Sequence, residues 1–238
     1  MADTSSITLL LVRHGQTDYN IKYISQGWLD VPLNDKGKEQ AQNAGEYLQS
    51  LPEIDSIWTS DLCRAYESAK IIIDTLKSTA SLTADERLRD IYNGTEKQYP
   101  EYLKEIPPCD HMEPAEEIEK RAADFFEDIP KLITKSQDEK KQNEDKHKHK
   151  QKKDGCVMIV SHSLTLLILL RLLFEAGKLT IKDEQMSDYL EDVLNEVEYL
   201  PNCSCTEVKI KMDNKNPGIK GVVSSELVKL GECLSKTS

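Results

Sequence analysis

The chain has no long hydrophobic run, no cysteine pair at CxxC spacing, no excess of positive charge and no leader-like start. Each absence removes a class of protein. Its most apolar stretch, residues 164–174, contains Arg171 and is too short to span a bilayer. Neither a membrane span nor a membrane partner is expected. Residues 1–6 are short and polar and carry Asp3, without the basic, apolar and small-residue order of a secretory leader. A cytoplasmic address is the expectation. The six cysteines (63, 109, 156, 203, 205 and 233) are scattered, several inside apparent core segments, and read as reduced thiols. Cys203 and Cys205 are expected as neighbours on one face of a strand. A formal net charge of −11 argues against a nucleic-acid partner and offers no long-range attraction to an anion. Any phosphate site must therefore be locally basic.

What is present suits a soluble α/β domain: 238 residues, 38% apolar and 31% charged, are enough to bury a sizeable core. Three short apolar runs, residues 7–12, 54–58 and 156–160, read as buried parallel strands. Each is followed by a polar turn and a helical pattern. The first helix spans about 35–51, capped by Asn34, with Ala41, Ala44, Leu48 and Leu51 on one face. Ser60 is placed to cap a second, carrying Ala65, Ala69, Ile72, Ile73 and Leu76. The third, 164–174, is apolar nearly all round, and Gly177 is placed to end it. This order predicts a three-layer α/β/α fold, a mostly parallel sheet with helices on both faces. Residues 90–130 read as a lid excursion over the sheet edge, ending in an amphipathic helix over 115–129. Residues 136–154, around "KKQNEDKHKHKQKK", are charged and without apolar side chains, and read as a solvated loop. An acidic helix is expected over 184–198, then strands over 203–211 and 218–223, then a tail.

Functional groups of an open parallel sheet gather at the carboxyl ends of its strands. The three strand ends deliver Arg13 and His14, Ser60 with Arg64, and Ser161 with His162. Two arginines and two histidines make a compact anion site, since guanidinium forks match phosphate oxygens. A neutral imidazole is a competent nucleophile toward phosphorus, and a carboxyl group at the rim must protonate the leaving alkoxide. Asp90 in "ERLRDIYNG" is the best-placed candidate. Trp28 and Tyr92 either line the pocket or pack. No metal is expected: His147 and His149 lie among lysines, which repel cations.

Five ordered stretches carry a family resemblance. "LLLVRHGQTDYN" with the following "ISQGWLDVPLNDKGKEQAQNAGEYL", then "IWTSDLCRAYESAKII", "RLRDIYNG", "CVMIVSHSLTLLILL" and "LPNCSCTEV" resemble the motifs of the histidine phosphatase superfamily, the phosphoglycerate-mutase-like fold, over most of residues 7–210. The resemblance implies His14 as the phosphorylated nucleophile. It also implies Arg13, Arg64 and His162 as holders of the phosphoryl group, Asp90 as the acid, and Asn20 and Gln26 near the phosphate.

Three departures stand out. Asp90 occupies a position where the family commonly has the longer Glu, so Glu96 and Asp61 stay open as alternatives. Ser163 follows His162 where the family often has Gly. The lysine-rich insert has no counterpart and lies before the third strand, away from the site. The expected activity is a metal-independent, cofactor-free phosphomonoester hydrolase acting on a small phosphorylated metabolite. The alternatives are a cofactor-dependent phosphoglycerate mutase, a fructose-2,6-bisphosphate phosphatase assisted by Lys97 and Lys104, and a non-catalytic phosphate-binding relative. Mutases resembling this chain carry more arginines between the acid and the second histidine than the single Arg121 found here, which favours hydrolysis.

Overall fold

The structure, a computed structural model, describes residues 4–93, 112–143, 154–182, 190, 199–213, 220 and 222–233. Its centre is the apolar run at the start of the chain. β1 (Thr4–Arg13) pairs in parallel with β4 (Asp154–Ser161), with Arg13 opposite Ser161, and antiparallel with β6 (Ser204–Asp213). On the other side of β4 lie β2 (Ser56–Thr59) and then β3 (Ser81–Ala84), both parallel. Beyond β6 lie β7 (Val222–Cys233) and β5 (Leu179–Ile181), which completes a seven-stranded sheet of order β3-β2-β4-β1-β6-β7-β5. Among these strands β6 alone runs against the rest.

Helices cover both faces, which is why the strands read as continuous apolar runs rather than alternating ones. After the short α1 (Asp18–Ile21), α2 (Asp35–Leu48) and α3 (Cys63–Leu76) pack on the face that presents Leu10, Val12, Met158 and Val160. The opposite face, with Leu9, Leu11, Val157 and Ile159, is covered by α4 (Ala115–Asn143) and α5 (Ser163–Glu175). Each fully buried Leu, Ile or Val on these faces contributes about 1.5–3 kcal/mol. α5 buries Thr165, the run Leu166 to Leu170, and Leu173, as its composition predicts, and Gly177 follows it at φ +63°.

Several sequence expectations change. The helix over 115–129 is not a lid: Ile118, Ala122, Phe125, Phe126 and Ile129 are buried in the core beside α5, and the helix runs on through Asn143 into the segment read as a loop. Helical periodicity marks an apolar face but not the surface that face will meet. The strand expected over 218–223 runs instead over Val222–Cys233, because β6 offers it a long antiparallel edge, so part of the expected tail is sheet. Cys203 precedes β6 rather than lying in it, at φ +53°, although it shares a core cluster with Cys205. β3 and β5 are too short to carry a pattern. The acidic helix apart from Leu190, the excursion over 94–111 and the lysine-rich residues 144–153 lie outside the described residues.

One packing detail positions the site. Asn34 caps α2 by accepting from the N–H of Gly37 (2.8 Å), and Gly37 lies directly against the turn that follows β1. A Cβ on Gly37 would stand 2.1 Å from the Gln16 carbonyl oxygen, and one on Gly15 would stand 2.5 Å from that of Gly37. Backbone meets backbone here, so neither side can yield cheaply. Gly37→Ala is expected to lower stability by about 1–3 kcal/mol in urea unfolding. Gly177→Ala, with open space around it, should lose about 1 kcal/mol from its left-handed backbone alone. A smaller loss at Gly37 than at Gly177 would contradict the close contact.

Candidate active site

Parallel pairing places the ends of β1, β2 and β4 side by side. The His14 N–H donates to the Ser161 carbonyl (2.9 Å) and that of Ser60 to the Val160 carbonyl (3.0 Å). A single 3₁₀ turn (Glu86–Leu88) after β3 then carries Arg89 and Asp90 to the same edge. His14, Arg64 and His162 are buried there.

His14 has a defined tautomer. Its Nδ1 lies 2.7 Å from the Gly15 carbonyl oxygen, which can only accept, so Nδ1 carries the hydrogen and Nε2 keeps its lone pair. Burial, then the charges of Arg64 and Arg13, hold its pKa well below 6.5. At neutral pH the ring is therefore uncharged, with the Nε2 lone pair available. The His162 ring lies 5.2 Å away, centroid to centroid, and is likewise kept neutral, by burial first and then by Arg64. Its Nε2 meets the Ser60 hydroxyl at 2.9 Å.

The two arginines are anchored from behind. Arg64, fully buried, donates Nη1 to the Leu29 carbonyl and Nη2 to that of Gly27, each at 2.8 Å. Arg13 donates to the Leu200 carbonyl. Burial lowers both pKa values, yet a guanidinium stays charged at neutral pH. Arg13 Nε, Arg64 Nε and His162 Nδ1 are buried with no hydrogen-bond partner. Three orphaned nitrogens, two of them on cationic side chains, thus belong to one buried cluster. Such groups are costly to bury without a counter-anion, and guanidinium edges suit the oxygens of a phosphoryl group.

Asp90 closes the cluster. Its Oδ2 lies 3.8 Å from Arg64 Nη2 and 3.9 Å from His162 Nδ1, and its Oδ1 accepts the Ile91 N–H at 3.0 Å. Burial raises its pKa, and Arg64 only partly offsets that. A carboxyl pushed upward is suited to donating a proton. Asp61, the alternative acid, is bound by both oxygens to Arg89 (2.8 and 2.5 Å), which holds its pKa down and keeps it ionised. That corrects its candidacy. Glu96 lies outside the described residues.

Asn20 and Gln26 shape the loop behind His14. Asn20 forms a reciprocal capping box with Thr17, and Gln26 is buried and accepts from the Thr17 hydroxyl at 2.9 Å. Ser60 does not cap α3, which starts after Leu62. The Cys63 N–H donates to Asp30 Oδ1 (2.7 Å) instead, while the Ser60 hydroxyl accepts the Leu62 N–H (3.3 Å) and meets His162. The Ser163 side chain accepts the Leu200 N–H at 3.0 Å, so the departure from glycine ties down the segment that anchors Arg13. Trp28 packs against the segment that carries Asp90: its indole donates to the Asp90 carbonyl (2.8 Å), Arg89 lies over its ring (4.6 Å), and Tyr92 meets it edge-on.

Sequence reasoning missed Asn202 and Cys203. The Asn202 amide donates to the His14 carbonyl (3.0 Å), and the Cys203 N–H is shared between the carbonyls of Arg13 (3.0 Å) and His14 (3.2 Å). The Pro-Asn pair in "LPNC" is a turn signal, but the turn's partner is far away in sequence. A groove of about 430 Å³ at the other end of β1, lined by Thr8, Lys209, Lys211 and Ser224 among others, contains none of the site residues. Among the described residues no group of three or more His, Cys, Asp or Glu side chains is spaced to hold a metal, and no helix is long and apolar enough to cross a membrane.

Fold and site together define an α/β protein with a buried, cationic two-histidine pocket at the carboxyl edge of its sheet. The chain belongs to the histidine phosphatase superfamily (branch 1), whose family model matches residues 9–214. Phosphoglycerate mutase-like protein 4 of Arabidopsis thaliana is 40% identical over 92 residues, 39% of this chain and 40% of that one. A 2,3-bisphosphoglycerate-dependent phosphoglycerate mutase of Allorhizobium ampelinum is 44% identical over 70 residues, 29% of this chain and 33% of its own. The matched stretches thus span well under half of either relative. Among solved structures, mycobacterial hydrolase 1 aligns with a TM-score of 0.66 at 20% identity, over 95% of this chain and 99% of its own. A mycobacterial glucosyl-3-phosphoglycerate phosphatase aligns at 0.62 and 22% identity, also over 95% and 99%. These structures share the fold.

Proposed function

We propose that this protein is a phosphomonoester hydrolase that works without a metal, through a phosphohistidine on His14, on a small phosphorylated metabolite. The observation that carries the reading is the Nδ1–H bond from His14 to the Gly15 carbonyl, which leaves Nε2 as a lone pair beside three orphaned nitrogens. In the first step Nε2 bonds to phosphorus and the ester P–O bond breaks. The proton of the Asp90 carboxyl goes to the departing alkoxide. Arg13, Arg64 and His162 take up the charge on the equatorial oxygens. In the second step the Asp90 carboxylate accepts a proton from water as its oxygen attacks the phosphohistidine. Inorganic phosphate leaves and His14 is again neutral. Asn20 and Gln26 contribute by holding the loop that carries His14.

A mutase is the second reading, favoured by the curated relatives named as mutases. Against it, the arginine between Asp90 and Ile129 that could clamp a substrate, Arg121, has its donors turned to backbone carbonyls and to Glu113. The test is turnover of p-nitrophenyl phosphate with a chelator present, together with acid-labile labelling of His14 from a radiolabelled phosphate ester. Chelator-resistant hydrolysis with labelled His14 is expected. Conversion of 3-phosphoglycerate that depends on added 2,3-bisphosphoglycerate, with little net hydrolysis, would establish the mutase. Phosphate binding with no turnover of either kind would mark a binding-only relative.

A further inference from the structure

Asp90 lies in a stretch, residues 89–93, that belongs to no helix or strand, so something other than a backbone ladder must fix its carboxyl. Arg121, in the second turn of α4, uses all five of its N–H donors there. Nη1 donates to the carbonyls of Arg87 (2.7 Å) and Arg89 (2.6 Å), and Nη2 to that of Asp90 itself (2.7 Å). The remaining two go to Glu113, from Nε to Oε1 (2.7 Å) and from Nη2 to Oε2 (3.0 Å). Glu113 passes the hold onward: its Oε2 accepts the Tyr92 N–H (3.1 Å), and its own N–H donates to the Tyr92 carbonyl (2.7 Å). The main chain is thus gripped at 87, 89, 90 and 92. From the sheet side the hydroxyls of Ser161 and Thr165 hold the carbonyls of Leu88 (2.7 Å) and Arg89 (2.8 Å), which keeps the segment attached if Arg121 changes.

We propose that Arg121, braced by Glu113, is a positioning residue for proton transfer: it sets where the Asp90 carboxyl stands over the leaving-group side of the pocket. The proposal rests on the hydrolase reading above. Arg121 never touches the phosphoryl group. It acts through the Asp90 backbone and so bears on both proton transfers of Asp90, to the departing oxygen and from the attacking water; only the first differs between esters. An aspartate has little reach to spare, and a misplacement of about 1 Å at a reacting group can cost about 100-fold. A lysine at 121 keeps the charge but can offer at most three donors without the planar fork.

The test compares two esters in the wild type, Arg121→Lys, Asp90→Asn and the double variant. β-Glycerophosphate releases an alkoxide that needs the proton, whereas p-nitrophenyl phosphate releases a stable phenolate that does not. Arg121→Lys is expected to lower the single-turnover rate of phosphoenzyme formation from β-glycerophosphate by about 10- to 100-fold while leaving that from p-nitrophenyl phosphate within about threefold. Asp90→Asn should show the same selectivity more strongly, and adding Arg121→Lys to it should cost nothing further. Equal losses on both esters in Arg121→Lys, or additive losses in the double variant, would overturn the positioning role while Asp90→Asn keeps its selectivity. If Asp90→Asn itself shows no selectivity, Asp90 is not the acid and the positioning role falls with it; if the wild type hydrolyses neither ester, the hydrolase reading falls as well. Should Arg121→Lys lack the cooperative thermal melt of the wild type, Glu113→Gln decides. It leaves the three carbonyl contacts in place but loosens the brace, and the same ester selectivity, smaller, is expected; its absence overturns the proposal.

Discussion

His14→Asn is expected to lower kcat on p-nitrophenyl phosphate by about 10⁴-fold or more while the protein stays folded. The amide can still donate to the Gly15 carbonyl in place of Nδ1, so the turn keeps its bond while the nucleophilic lone pair is gone. Turnover within tenfold of the wild type would exclude His14 as the attacking group. The same variant carries a pH signature. His14 and His162 are both held neutral, with pKa values well below 6.5. In the unfolded chain they titrate near 6.5, so below that pH the unfolded state binds more protons than the native one. Their contribution is complete at neutral pH and is lost as the pH falls. Between pH 7.5 and 5.5 the wild type should therefore lose stability, by on the order of 1 kcal/mol for each histidine, and His14→Asn should remove about half of that loss. The raised pKa of Asp90 acts with the opposite sign: its stabilising effect is complete below its unfolded value of 3.8 and declines as pH rises toward the folded value. It is common to both proteins and drops out of the comparison. Urea unfolding at the two pH values measures the difference, and equal pH dependence would contradict a buried neutral His14.

The second large effect is expected at Arg64. It is the hinge between scaffold and chemistry, since one side of its guanidinium holds the Gly27 and Leu29 carbonyls while Nε is left for an anion. Arg64→Met keeps the side chain's bulk and removes every donor. kcat/KM should fall by about 10³-fold, the scale of losing preorganised donors from a developing charge. Two carbonyls also lose their partners at about 1–3 kcal/mol each. Relief of a buried cation near Arg13 offsets part of that, so a net loss of about 2 kcal/mol is expected. Inorganic phosphate should raise the melting temperature of the wild type by mass action and leave that of Arg64→Met unmoved. An equal phosphate-induced shift in both proteins would place the anion elsewhere.

How much of this was legible depends on how local each signal is. The strands ending at Arg13, Thr59 and Ser161 announce themselves because burial on both faces demands unbroken apolar runs. Helices α2, α3 and α5 follow from spacing, Asn34 and Gly177. Asp61 and Asp90 could not be told apart in the same way. Both are carboxylates near a basic cluster, and only the fold shows one tied to Arg89 and the other lifted by burial. Ser60 reads as a cap until Asp30 takes the α3 terminus. Arg121 reads only as the single arginine between Asp90 and His162 until all five donors are found turned to the segment around Asp90 and to Glu113.

The sequence by itself determined the layer order, the strand ends and the residue types that meet there, because period, capping and burial act over a few neighbours. It also sufficed to place His14, Arg13, Arg64 and His162 at one sheet edge, since parallel strands must align their carboxyl ends. Only the tertiary structure decided which His14 nitrogen is free, which carboxylate keeps a raised pKa, and what Arg121 and Asn202 hold. Those properties belong to hydrogen bonds and desolvation between segments far apart in the chain, and no local pattern encodes them.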